Sequence, residues 1–174
     1  MHRYLLLLLA ACLVAGQAFF VSAAAVPSSG WTTTAFGDWL VRCPGSQNME
    51  GGCQLLPDLE KAAISRAQFA LVISSQDETK SRFAVMTVPE GVYLASGVEL
   101  SIDGGRPYKI LYEVCRQGSC HAGFKLTDAV VSAFKRGAKA TARVWLSKDR
   151  VVEFSLSLIG FTKAYSVFEG QASR

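Results

Sequence analysis

Four stretches of the chain alternate apolar and polar residues with a period of two. Phe69, Leu71 and Ile73 share one face of QFALVIS, and Val98, Leu100 and Ile102 share one face of VELSID, opposite Glu99, Ser101 and Asp103. In KATARVWL, Ala140, Ala142, Val144 and Leu146 alternate with Thr141, Arg143 and Trp145. In VVEFSLSL, Val152, Phe154, Leu156 and Leu158 alternate with Glu153, Ser155 and Ser157. This is the pattern of half-buried antiparallel strands. RFAVMTV is more uniformly apolar and fits a central strand. WTTTAFGDWLVRC, rich in Thr and aromatics, reads as the first strand, and HAGFKL as another.

Turn residues punctuate these segments. PGSQNMEGG reads as a loop, PEG at Pro89–Gly91 ends a strand, and SKDR at Ser147–Arg150 joins the last two. Asp103–Gly105 is a hairpin signal between VELSI and YKILYEV. Short strands at regular spacing predict a mainly β fold, an antiparallel sandwich or barrel in which one face of each strand is dry. LTDAVVSAFKRG breaks the pattern. Thr127 or Asp128 is its N-cap, Val130, Val131 and Phe134 fall at helical spacing, and Gly137 is the stop. A second short helix fits FTKAYSVF. DLEKAAISRAQ has a helical composition but runs directly into a strand.

The first residues change where this domain is expected to live. Arg3 precedes an apolar run from Leu5 to Val14, and small residues accumulate to Ala23, Ala24 and Ala25. These are the features of a secretory signal peptide, with cleavage expected after Ala25. The expected organisation is a signal peptide at 1–25, a short leader at 26–35 and one domain at 36–170. Two other readings are an uncleaved anchor over Tyr4–Val26 and a lipoprotein box ending at Cys12. All three place the domain beyond the cytoplasm: periplasmic, associated with the outer membrane, or secreted.

Without Cys12, four cysteines remain: Cys43, Cys53, Cys115 and Cys120. An even number in an exported chain points to disulfides. Three pairings are open, of which the local one, Cys43 with Cys53 and Cys115 with Cys120, needs no assumption about the fold.

Catalytic chemistry finds little support. Cys115 and Cys120 are spaced C-x4-C before a strand, unlike the C-x-x-C at a helix start that activates a thiol. Zinc would need ligand spacings that these cysteines lack. His121 is the one histidine beyond His2, and no G-x-S-x-G elbow presents a serine to it. Asp38, Glu113 and Glu153 have ordinary readings as outward strand residues. The alternative to a binding protein is therefore a small periplasmic enzyme or thiol-redox protein using His121 or Cys115/Cys120. No cofactor or metal is expected.

Charge adds one candidate. The chain carries a net +4, mild enough that nucleic acid is not implied. Lys135, Arg136, Lys139 and Arg143 cluster around the helix end as a candidate patch for an anionic partner, whether a glycan, a membrane surface or an acidic protein.

FGDWLVRC with a later second cysteine, TVPEGVYLASGVELSIDGG, YEVCRQGSCHAGFKL and SLSLIGF together resemble the invasion-associated locus B family of alphaproteobacteria. The likeness runs from about Phe36 to Phe168. Its most specific marks are D-W-x-V-x-C, P-x-G-V-x-L-x-x-G-V and S-L-x-G-F. The resemblance implies an exported immunoglobulin-like antiparallel β-sandwich with two local disulfides and one or two short helices. It also implies association with an envelope or host-surface component and, in some pathogens, a part in entering host cells. It transfers no catalytic residue. One departure is Ser119, where the family more often has Gly before the second cysteine of the hairpin, and this leaves the turn type open. Mass spectrometry of the exported, non-reduced protein is expected to find a start at Val26 and no free thiol; alkylatable cysteine in native material would contradict the disulfide reading.

Overall fold

A computed structural model describes residues 30–45, 52–66, 68–76 and 81–172. The expected signal peptide, with the anchor and Cys12 readings, lies outside the described residues, as does most of the loop between Cys43 and Cys53.

Two antiparallel sheets pack face to face. The larger holds β1 (Trp31–Phe36), β2 (Trp39–Pro44), β3 (Gln54–Pro57), β4 (Ala70–Gln76), β5 (Ser81–Pro89), β8 (Val114–Arg116) and β9 (Ser119–Lys125), in the order β1-β2-β3-β4-β5-β9-β8. The smaller holds β6 (Val98–Ile102), β7 (Tyr108–Ile110), β10 (Lys139–Trp145) and β11 (Val151–Ser157), in the order β11-β10-β6-β7. Helices α1 (Asp128–Arg136) and α2 (Phe161–Ala172) complete the core. The expected β-sandwich with two helices is the architecture observed.

The period-two faces fill the space between the sheets. Phe69, Leu71 and Ile73 meet Ala84, Met86 and Val88 within the larger sheet, and Val98, Leu100, Ala140, Ala142, Val144 and Leu156 oppose them; all are buried. RFAVMTV is central, between β4 and β9, but it alternates rather than being buried on both sides. Ala84, Met86 and Val88 point inward, whereas Phe83 is 37% exposed. Thr127 caps α1, its side chain accepting from Val130 N–H, and Val130, Val131 and Phe134 are buried as spaced.

Two expectations are corrected, and one ambiguous stretch is resolved. WTTTAFGDWLVRC is a hairpin rather than one strand, because Gly37, at φ +60°, and Asp38 form a two-residue turn closed by Phe36 and Trp39. YKILYEV divides between the sheets: Tyr108–Ile110 pairs with β6, and Val114–Arg116 pairs with β9. The described residues of DLEKAAISRAQ make only turns, since Ile64 N–H returns to Leu59 O while Ala63 takes a left-handed conformation at φ +53° that ends propagation. In addition, β1 takes in residues 31–35, which the boundary at 36 left in the leader.

One close approach holds the β1–β2 turn against the start of α2. Asp38 N–H donates to Ile159 O at 3.0 Å. A Cβ on Gly37 would lie 2.7 Å from Ile159 O, and one on Gly160, at φ +90°, would overlap Phe36 O. Gly160→Ala is expected to lose about 3 kcal/mol or more, from backbone strain plus overlap, in chemical denaturation. Gly91→Ala, at φ +95° with open space around it, isolates the backbone part and is expected to lose only about 1 kcal/mol. Equal losses would refute the close-contact account.

The segment crossing between the sheets leaves a second signature. Tyr112 is half-buried there, its hydroxyl shielded and unpartnered among the described residues. Burial pushes its pKa up to about 12. The fold thus favours the protonated phenol, so this contribution to stability is whole below the unfolded value of about 10 and is lost as pH rises from there through 12. An ultraviolet titration is expected to show Tyr112 ionising at about 12, beside Tyr165, whose pKa burial also raises above the ordinary value. Tyr112→Phe is expected to remove one late ionisation, leaving that of Tyr165, while keeping or raising stability at neutral pH.

Candidate functional site

The Asp103–Gly105 turn and the end of α1 build one cleft. Asp103 and Gly104 both take positive φ, 49° and 71°, and Gly105 N–H donates to Ile102 O. This is the tight reversal that Asp-Gly provides. The Asp103 carboxylate accepts from Ala138 N–H at 3.0 Å and Lys139 N–H at 2.8 Å, which ties the turn to the loop after α1. Gly137 lets the two meet. Its backbone is ordinary at φ −77°, but a Cβ there would overlap Ile102. Its part in ending the helix is therefore one of space.

The result is an open cleft of about 320 Å³, lined by Arg106 and Tyr108 from one side and Ala133, Arg136 and Gly137 from the other. Arg106 and Arg136 are exposed, and neither has a carboxylate within ion-pair distance among the described residues. Asp103 also borders the cleft, but backbone N–H groups occupy its oxygens. Two guanidiniums, each with five donors and no acceptor, thus face one recess beside an exposed phenol ring. Arg106 and Tyr108 were not among the candidates read from sequence, where DGGRPY served only as a turn.

The sequence-derived basic set does not stay together. Arg143 lies on the outer face of the smaller sheet between its cross-strand partners, with its guanidinium 3.7 Å from Glu99 and 3.0 Å from Glu153. It also lies over the Trp145 ring. Lys135 lies 4.7 Å over the Tyr165 ring. Lys139, on the same face as Arg143, is exposed close to Asp103. Arg136 alone of the four lines the cleft.

Both cysteine pairs are local disulfides, Cys43–Cys53 and Cys115–Cys120. The second sits at the mouth of the β8–β9 hairpin, whose turn residues Gln117 and Gly118 have φ of 53° and 79°. That is the all-positive two-residue turn whose twist matches a hairpin. Ser119 closes it opposite Arg116, so the departure from the family's usual residue leaves a normal hairpin. Cys120 is buried and Cys115 exposed. His121, on the outer face of the larger sheet, has Nδ1 3.0 Å from Thr87 Oγ1. Asp38, in the first turn, lies 3.9 Å from Lys61, and Glu113 folds over Gly123. Glu153 pairs with Arg143 on the other sheet, so the three carboxylates occupy separate parts of the fold.

A further cluster, missed in the sequence, pins the helices. Arg82 on β5 donates to Tyr165 Oη and lies 2.6 Å from Glu169 on α2 and 4.0 Å from Asp128 at the start of α1. Its hydrogen bond to Tyr165 holds its pKa above the ordinary value. With its charge met on several sides, it serves packing rather than a ligand.

The described helices include none long and apolar enough to cross a membrane. Two closed disulfides favour an oxidising compartment.

Comparison with known proteins bears on the whole unit. The crystal structure of invasion associated protein B from Bartonella henselae matches with a TM-score of 0.66 at 16% identity, covering 82% of this chain and 99% of that one. At that identity the likeness is one of fold. No curated protein matches the sequence. The profile of the family described as invasion associated locus B (IalB) protein matches residues 39–169, which runs from the Trp39 that opens β2 to the last turns of α2. The chain belongs to the invasion associated locus B family.

Proposed function

We propose that this chain is an exported, envelope-associated binding protein that holds an anionic surface through the cleft between Arg106 and Arg136. The observation that carries this reading is the convergence on one recess of two guanidiniums with no carboxylate partner among the described residues, while Arg143 is spent on Glu99 and Glu153. Phosphate or carboxylate groups displayed in an array, as on phospholipid headgroups or an acidic glycan, supply the acceptors those donors lack. Envelope integrity, or contact with a host cell, is the physiological role that follows. Turnover is not part of the reading. The Cys115–Cys120 sulfurs are bonded to each other, and the His121 ring faces a threonine rather than a nucleophile–carboxylate set.

The test is sedimentation with vesicles of anionic or purely zwitterionic phospholipid, and with an acidic polysaccharide in a parallel arm. Binding is expected to need the anionic component and to fall as salt rises. Replacing both Arg106 and Arg136 by Ala is expected to weaken it by about 2 kcal/mol, roughly thirtyfold. Arg143→Ala is expected to change affinity little, its charge being already compensated. Equal binding to zwitterionic vesicles, or an Arg143 effect larger than that of the double variant, would overturn the assignment.

A further inference from the structure

The two sheets end on four edge strands, and three of them are guarded. β8 has three residues and carries Arg116, and β7 has three and carries Lys109. β11 is longer but has Glu153 at its centre. Short length and charge are the usual devices that keep an edge from pairing with another chain. β1 has neither. It runs for six residues, WTTTAF, without charge or proline, and its four central residues are exposed.

The direction of its free hydrogen-bonding groups follows from the turn. Phe36 and Trp39 close a two-residue hairpin, and Gly45 N–H donates to Gly30 O further along the ladder. Gly30, Thr32, Thr34 and Phe36 therefore face β2, while Trp31, Thr33 and Ala35 direct their N–H and C=O groups to an edge that no other strand pairs among the described residues.

We infer that β1 pairs antiparallel with β1 of a second copy of this chain, about a two-fold axis through Thr33. This register uses every outward group, giving about six hydrogen bonds from three residue pairs. Thr33 faces its own copy, Trp31 faces Ala35, and Thr32 faces Thr34. Large side chains meet small ones, and threonines meet threonines, a favourable cross-strand combination. No charge meets a like charge across the axis. The contact is isologous, as a closed dimer requires, and the self-complementarity of the register is what favours a second copy over an unrelated strand. The axis is perpendicular to the sheet, so the larger sheets become continuous and both smaller sheets lie on one side. This inference stands independently of the anionic cleft.

The mature chain should be followed by analytical ultracentrifugation and light scattering over a wide concentration range. A monomer–dimer equilibrium is expected. Thr33→Lys, which sets two ammonium groups against each other on the axis, is expected to raise the dissociation constant at least tenfold while leaving the monomer folded by circular dichroism. Thr33→Pro removes an outward N–H that the monomer does not use, and should act in the same direction. Val151→Lys, on the β11 edge, is expected to leave the dimer intact. A monomer at every concentration, a dimer that survives both Thr33 substitutions in folded protein, or one lost through Val151→Lys alone would each overturn the inference.

Discussion

The indole of Trp39 is where both sheets and both helices meet. It is fully buried at the start of β2, and its Nε1–H donates across the sandwich to Ser157 O at the end of β11, 2.9 Å away. Its ring meets Phe161 of α2 edge-on at 4.9 Å and Phe134 of α1 at 6.3 Å. One side chain therefore fixes the spacing of the sheets and the seating of the helices that fill the space between them. Tryptophan suits the position because its large apolar body comes with a single donor, which here finds a partner. The two glycines beside it belong to the same constraint. Gly37 and Gly160 bring the first turn and the start of α2 to backbone contact, next to the strand that carries the indole.

The cleft inherits its geometry from this framework at one remove. Phe134, held against Trp39, fixes how α1 lies, and α1 ends at Arg136 beside the Asp103 turn. The Asp103 carboxylate then binds the chain after α1 by two backbone N–H groups. Two elements distant in sequence are thus locked edge to edge, and their arginines face a common recess with little freedom for the backbone to spread. Such a site offers less contact area than a deep pocket, but its main-chain frame is already set before a ligand arrives.

How much of this was legible in the sequence depends on whether the information is local. The faces of β4, β6, β10 and β11 follow from period two alone, and the helix start follows from the residues after it, with Thr127 and Asp128 both open as N-cap until the fold places Thr127 there. The first hairpin was hidden because FGDW sets apolar residues on both sides of a two-residue turn, so the run looks continuous. The division of YKILYEV was signalled only by adjacent Ile110 and Leu111, which break the alternation where the chain changes sheets. The basic patch failed for another reason. Arg143 looked close to Lys139 in sequence, but its fate is set by Glu99 and Glu153 opposite it on neighbouring strands, and cross-strand register is not written in either strand by itself. Arg106 joins Arg136 only through the fold.

The two disulfides lie toward opposite ends of the larger sheet. The larger sheet has seven strands and the smaller four; α2 packs on the β1–β3 end, and sulfur appears toward both ends of the larger sheet. Cys43–Cys53 links β2 to the chain entering β3 near the β1 edge, and Cys115–Cys120 links β8 to β9 at the other. All three residues of β8 are exposed, so burial contributes little to holding it. Closing loops of 10 and 5 residues removes about 2–3 kcal/mol of unfolded-chain entropy each, in the loop-closure account. That is comparable with fully burying one large apolar side chain. The clips thus work together with core contacts: Cys53 and Cys120 are themselves buried, and each bond ties an end region of the larger sheet to that core.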